Sequence, residues 1–357
     1  MAVLIPGKTS NTVSQYSSNM LLSQMQVQQQ KKIQAESDKI SNEYQTKING
    51  KQTEIDSYTK LKADIGEVST FLSKTVGQAK SILSNVDAMI RLVVSAEQTD
   101  SGYGNYGTTF DNFLKRLDAT TESGGVTKNP LSRLEPDVFY KSSRYGGSQR
   151  VQGNYLGDSY QIIDSNDKVW IPDHQSKLLK QYNSYPDDPT NVNYSLEHGV
   201  RFDSVTGSSV TFTLNPDSGT PEALTGTLTG KGLEIVNAWY YENLNTTDGR
   251  TRAKADLDDA KAAAKVEVAR YESAFAIAKY FEEKASTEAK GLTSDVNELL
   301  IERAQEVQQR QLELAQEFEA AQGRVVAAMS LKVDYQFMFR GLTGNNKVAQ
   351  MLLSITA

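Results

Sequence analysis

The sequence predicts a mainly α protein. It reads as a long antiparallel helical bundle or coiled coil formed by the N- and C-terminal segments, with a small β-rich domain inserted between them. Three observations predict this. Heptad-like apolar patterns run through roughly 20–97 and again through 250–332. The region between them changes to Tyr, Val, Thr, Asn, Gly and Asp with short alternating runs. The hydrophobic fraction is only 38% and the mean hydropathy −0.50, the profile of long helices that bury one narrow seam and leave most of their surface wet. The expected division is 1–125, helical; 126–232, β-rich; and 233–357, helical and pairing with the first.

Residues 1–19 are rich in Ser, Thr and Asn and read as poorly ordered in isolation. From Asn19 the helical signal begins. Leu22, Met25, Ile33, Ile40, Tyr44, Ile48, Ile55, Tyr58, Ile65, Leu72, Val86 and Val93 fall mostly on steps of three, four or seven. That is one apolar stripe, on a single helix or on two in tandem. Asn49-Gly50 interrupts it and is a candidate break or turn. Unbroken, 20–97 would be about 115 Å long at about 1.5 Å per residue. A break would let the second half fold back on the first.

The run Asp100 to Gly107 reads as a loop. Phe110, Phe113, Leu114 and Leu117 then predict a short amphipathic helix ended by Ser123-Gly124-Gly125. Strands are expected at 159–163, 168–171, 199–202 and 209–214, separated by turn sequences such as Asp164-Ser165-Asn166-Asp167 and Asn215-Pro216-Asp217-Ser218-Gly219. Gly232 to Leu244 reads as a return to helix. The second long stripe holds Leu257, Ala260, Ala264, Val268, Tyr271, Ala278 and Ala285. After Gly291 it continues with Leu292, Val296, Leu299, Val307, Leu314, Phe318, Ala321 and Val325. Its alanines allow close helix approach.

Several function classes lose support. The net charge of −6 disfavours sequence-independent nucleic-acid binding, which needs a basic face to release counterions. The absence of cysteine removes disulfides, thiolate catalysis and Cys-ligated metals. No apolar stretch approaches the about 18 residues of a membrane span, so no membrane insertion is expected. Val3-Leu4-Ile5 is broken by Pro6-Gly7, so no cleaved secretory leader is expected, and export would need a machine that does without one.

Pro6-Gly7-Lys8-Thr9 carries the Gly-Lys-Thr of a phosphate loop, but position 2 is Ala where that loop needs Gly, and no strand precedes it. The only two histidines, His174 and His198, cannot form a tight zinc site by themselves. Asp164, Asn166 and Asp167 lack the remaining positions of a calcium loop and are explained by Asx turns. Asn193-Tyr194-Ser195 and Asn245-Thr246-Thr247 match the glycosylation pattern by composition alone. Of the 17 tyrosines, seven cluster at 140–194, where sheet packing accounts for them better than sugar or partner binding does. No catalytic residues, metal ligands or cofactors are expected, and the chain is not expected to be an enzyme.

The apolar ends are the candidate functional feature. The residues expected to join subunits are Val3, Leu4, Ile5, Leu21, Leu22 and Met25 at one end, and Phe337, Phe339, Leu342, Val348, Met351, Leu352, Leu353 and Ile355 at the other. Leaving such side chains in water forgoes about 1.5–3 kcal/mol each. Self-association relieves that, and head-to-tail contacts propagate into helical polymers.

This plan resembles bacterial flagellins and related flagellar axial proteins of the hook-associated or junction type. The resemblance is architectural and covers the whole chain. It rests on the short segment before Leu21-Leu22, the insertion near 126–232, and the ending Val348-Ala349-Gln350-Met351-Leu352-Leu353-Ser354-Ile355. The Arg-x-Ser-Ser-Gly-type and Asp-Asp-Ala-Ala-Gly-like segments typical of flagellins do not occur here. The resemblance implies termini that form a coiled coil inside a filament, a β-rich domain projecting outward, and export through a type III channel to a cell-surface appendage. It implies copies of itself, other axial proteins and an export chaperone as partners. The alternative of another class is a type III-secreted needle-tip, translocator or pore-forming helical protein.

Overall fold

The computed structural model of the protein describes residues 9–98, 105–122, 129–173 and 175–344; for 9–18 and 332–344 it describes the backbone alone. Two helices dominate: α1, Thr9–Glu97, of 89 residues, and α3, Thr247–Gly344, of 98. Among the described residues between them lie α2, Tyr106–Glu122, nine strands, and a 3-10 helix, Ala238–Leu244. The chain divides into two compact units. The first comprises 1–56 with 288–357, and the second 57–287.

The expected bundle with a small β-rich insertion is overturned. Each end of the chain supplies one uninterrupted helix rather than several shorter ones, and the β part is large. It has a seven-stranded antiparallel sheet and a separate two-stranded one. Asn49-Gly50 does not break α1, and Gly291 does not break α3. A glycine inside a helix costs about 1 kcal/mol relative to alanine. Ending the helix there would strand backbone groups on both sides and detach Ile48, which is buried, from its seam.

In the first unit α1 and α3 run antiparallel, as their side-chain pairs record. Lys32 Nζ meets Glu317 Oε2 at 3.1 Å, Tyr44 donates to Glu306 at 2.9 Å, and Lys51 meets Asp295 at 2.9 Å. Partner numbers fall on α3 as they rise on α1, in one steady register. In the second unit Lys80 meets Glu272 at 2.6 Å and Lys261 meets Asp87 at 2.7 Å, again antiparallel.

The main sheet of the second unit has the order β6-β5-β4-β3-β9-β8-β7. Its strands are β3, Asp158–Asp164; β4, Val169–Pro172; β5, Leu178–Ser184; β6, Asp188–Ser195; β7, Val200–Thr206; β8, Ser209–Leu214; and β9, Glu222–Gly232. A hairpin of β1, Val138–Lys141, and β2, Ser148–Val151, forms the other sheet. Strand β9 inserts between β3 and β8. Its glycines hid it from pattern reading, yet Gly226 is required. A Cβ there would lie 2.6 Å from Ile162 Cγ2 and 2.7 Å from the Ile163 carbonyl, so only glycine lets the two strands close.

The core of this unit joins Tyr160, Ile162, Trp170 and Phe212 of the sheet to Phe110, Leu114 and Leu117 of α2, to Leu72, Ile82 and Met89 of α1, and to Ala260 and Ala264 of α3. Rings meet edge-on, Trp170 with Phe212 at 6.3 Å and Phe110 with Tyr241 at 5.4 Å. The segment 233–244 is not the regular helix expected. Leu233, Ile235, Val236, Ala238, Trp239, Tyr240, Tyr241 and Leu244 are buried, while Glu234 is exposed and Glu242 and Asn243 are half-buried, so the segment acts as an irregular apolar plug. Its backbone is paired by side chains: Val236 N–H donates to Tyr241 Oη of the same segment at 3.2 Å, and Ala238 N–H to Asp111 of α2 at 2.8 Å. Thr246 Oγ1 then accepts the Gly249 N–H at 3.0 Å, capping the start of α3.

The buried alanines of α3 leave no space for larger side chains. Ala264→Leu is expected to destabilise the second unit by about 1–3 kcal/mol through overpacking. Val266→Ala, two residues away at a position 65% exposed, is expected to stay within about 0.5 kcal/mol of wild type. Denaturant unfolding of both variants checks the contrast.

Candidate functional site

Two places carry residues that could act on something outside the chain. They are the helix pair of the first unit and a polar cleft in the second.

The helix pair is held by a heptad seam. Its α1 side holds Leu22, Met25, Ile33, Ile40, Tyr44 and Ile48, and its α3 side holds Leu292, Val296, Leu299, Val307, Leu314 and Phe318. The seam is thin. Among the described residues of this unit only Ile40, Ile48 and Leu314 are buried apolar side chains. Two helices cannot enclose a seam, because each apolar residue has a neighbour helix on one side only. The cross-helix ion pairs are exposed, with Lys32 and Glu317 at 56% and 57%, so they fix register and add little stability.

Apolar side chains also face away from the seam. Met20, Leu21 and Val27 of α1 and Ile301, Leu312, Val326 and Leu331 of α3 are exposed. Near one end of the unit the two helices form a groove of about 250 Å³. Leu314 is buried in it, Met25, Phe318 and Ala321 are its half-buried apolar lining, and the Lys32–Glu317 ion pair borders it.

Of the residues expected from sequence to join subunits, the structure places three by side chain. Leu21 is exposed, while Leu22 and Met25 are half-buried on the seam, with Met25 in the groove. Phe337, Phe339 and Leu342 lie on the described backbone of α3, with their side chains outside the described residues. Val3, Leu4, Ile5, Val348, Met351, Leu352, Leu353 and Ile355 lie outside the described residues, as does His174. Sequence reading missed Val27, Ile301, Leu312, Val326 and Leu331. Ile301, Leu312 and Val326 sit off the main stripe at spacings of 11 and 14, and that second row was the available signal.

The cleft of the second unit, about 370 Å³, is lined by Thr108, Asp111 and Asn112 of α2, the 175–178 turn, Ser195 and Glu197. Asp111 Oδ1 accepts from Asn237 Nδ2 at 3.1 Å and from Ala238 N–H at 2.8 Å. Asn237 Oδ1 accepts from Tyr160 Oη at 3.0 Å, and Tyr160 Oη accepts from Trp239 Nε1 at 2.9 Å. Two turns along α2, Asp118 accepts the Asp158 N–H at 2.9 Å and the Tyr155 hydroxyl at 3.1 Å. The two carboxylates thus fasten one face of α2 to the 3-10 helix and to the start of β3.

Burial pushes Asp111 up to about 6, against the two hydrogen bonds that lower it, and the Glu197 charge adds to the rise. Burial also raises Asp118, and raises Asp158 well above the usual carboxylate range, with the charges of Asp118 and Asp111 adding to the latter. Perturbed carboxylates in a cleft are a signature of acid–base sites. Here Asp111 and Asp118 are explained by fastening α2, whereas Asp158 is held through its backbone N–H and its Oδ1 is buried with no hydrogen-bond partner among the described residues. Asp164, weighed above as a calcium ligand, accepts from Asn166 N–H, Lys168 N–H and Trp170 Nε1, so its turn is filled by its own chain. Among the described residues no group of three His, Cys, Asp or Glu side chains is placed to hold a metal ion.

Because the pKa of Asp111 is raised on folding, its contribution to stability is largest below the ordinary carboxylate value and is lost as pH rises through about 6. Asp111→Asn keeps an acceptor oxygen and removes the titration. The stability of the variant relative to wild type is therefore expected to fall as pH is lowered from 7 to 5. Thermal unfolding at both pH values measures it, and a constant difference would show that Asp111 is not the titrating group.

A scan against protein-family models finds none that matches the chain, and no curated protein sequence matches it.

Proposed function

We propose that the protein is a structural subunit that polymerises through its apolar termini into an extracellular helical assembly of the flagellin-like or flagellar hook-associated kind. The observation that carries this reading is the imbalance of the first unit. Among its described residues it buries three apolar side chains and exposes Met20, Leu21, Val27, Ile301, Leu312, Val326 and Leu331. A helix pair of this kind gains most of its missing burial from further helices. The second unit needs no such help, since its core includes Trp170, Trp239, Tyr241 and Phe212, all enclosed. One unit therefore joins subunits and the other faces solvent. The flagellar assignment, the export route and the surface location rest on the architectural resemblance. The reading assigns the protein no catalytic role, and copies of itself are its first partners.

Deleting 338–357 is expected to leave a soluble, helical monomer that does not polymerise. Negative-stain electron microscopy of concentrated, seeded full-length protein beside this truncation tests it. Filaments from the full chain alone support the reading, and normal assembly by the truncation refutes the role given to the termini. Leakage of liposomes by a chain that forms no filament would favour the translocator or pore-forming alternative.

A further inference from the structure

We propose that the groove at Met25, Leu314, Phe318 and Ala321 is the receptor for the C-terminal segment 348–355 of a second copy of this chain. The inference rests on the self-assembly reading above and names the contact that would produce it.

The sequence of the segment fits such a groove. Val348, Met351, Leu352 and Ile355 stand at i, i+3, i+4 and i+7, the spacing at which a docked helix presents one apolar face. On the receptor, Leu314, Phe318 and Ala321 repeat at steps of four and three on α3, so the two faces have the same length, about two turns. Charge agrees. The segment 345–357 carries Lys347 and no acidic residue, whereas residues 288–331 of α3 carry eight acidic and four basic side chains.

The geometry of the chain requires the occupant to come from another copy. From Ala321 to Gly344 the helix rises about 34 Å, at about 1.5 Å per residue. A helical tail turning back at Gly344 would carry Ile355 about 17 Å down α3, half of what is needed. The other end also falls short. Met25 lies about 24 Å along α1 from Thr9, while Ile5 and Val3 can stand at most about 14 and 22 Å beyond Thr9 when fully extended, before any sideways step. Even with 345–347 fully extended, a helical 348–355 would carry Ile355 only about 23 Å down α3, so a helical C-terminal segment cannot seat in the groove of its own chain, nor can Ile5 or Val3. Docking by a second copy leaves the groove of that copy open to a third, so the contact is head-to-tail and propagates.

Cysteine cross-linking tests this in the full-length chain, which has no cysteine of its own. Met25→Cys and Leu352→Cys single variants are mixed, oxidised with copper–phenanthroline and run on a non-reducing gel. A mixed disulfide dimer is expected in the mixture at several-fold the yield of either variant oxidised alone. The double variant is expected to move from the monomer band into a ladder of multimers that collapses on reduction. Circular dichroism of the reduced variants verifies that they are folded. Closure of the double variant within one chain, or no mixed dimer, would overturn the proposal. Electron microscopy of the same samples separates the two readings. Filaments without this cross-link sink the groove assignment and leave self-assembly standing, whereas neither filaments nor cross-link sinks both.

Discussion

The constraint on which this structure depends is the antiparallel pairing of two helices from opposite ends of the chain. Lys32 meets Glu317 across 285 positions of sequence, and Tyr44 meets Glu306 across 262. Such contacts form only after the intervening chain has brought its ends together, and closing so long a loop carries an entropic cost that local helix formation cannot offset. The second unit has the means to do so. Its enclosed aromatic core ties α1 residues such as Ile82 and Met89 to α3 residues such as Leu257 and Ala264, and so sets the two helices against each other. The order of events this favours is a folded second unit first and the seam of the first unit after it.

The stability of the two units therefore has different sources. In the second, large side chains are enclosed and polar groups are tied into chains, as Trp239, Tyr160, Asn237 and Asp111 are. Such a network costs desolvation, visible in the raised Asp111, and gives a specific seat for α2. In the first, three enclosed side chains and a row of exposed ion pairs cannot hold two long helices firmly. Its described apolar side chains are largely left at the surface, Met20, Leu21, Val27, Ile301 and Leu312 among them.

Much of this was legible in the sequence, unevenly. The stripes from Leu22 to Val93 and from Leu257 to Val325 gave the two helices, because a seam repeats every seven residues over great length. The strands β3, β4, β7 and β8 alternate and were found. Strand β9 was not, because Gly226, Gly230 and Gly232 imitate a loop while serving close strand approach. The 233–244 plug deceived in the opposite way, since continuous apolar residues suit a buried helix and a buried irregular turn equally. Asn49-Gly50 was a candidate break or turn by residue type alone, while the stripe was already read as continuing past Gly291. Whether a glycine ends a helix depends on what the flanking turns bury, and Ile48 beside the Lys51–Asp295 pair holds α1 together there. The groove was the least legible feature, because Met25 and Phe318 are 293 positions apart and their proximity follows only from the register.

That register also explains why a thin seam and an apolar tail belong in one molecule. Here α3 continues about 34 Å past Ala321 before the segment 345–357 begins. On the assembly reading proposed above, that length would keep a helical 348–355 from the groove of its own chain, so that the proposed contact would form between copies. On the same reading the thin seam matters because it leaves Met25 and Phe318 half-buried in the groove, with apolar surface that an incoming helix would cover.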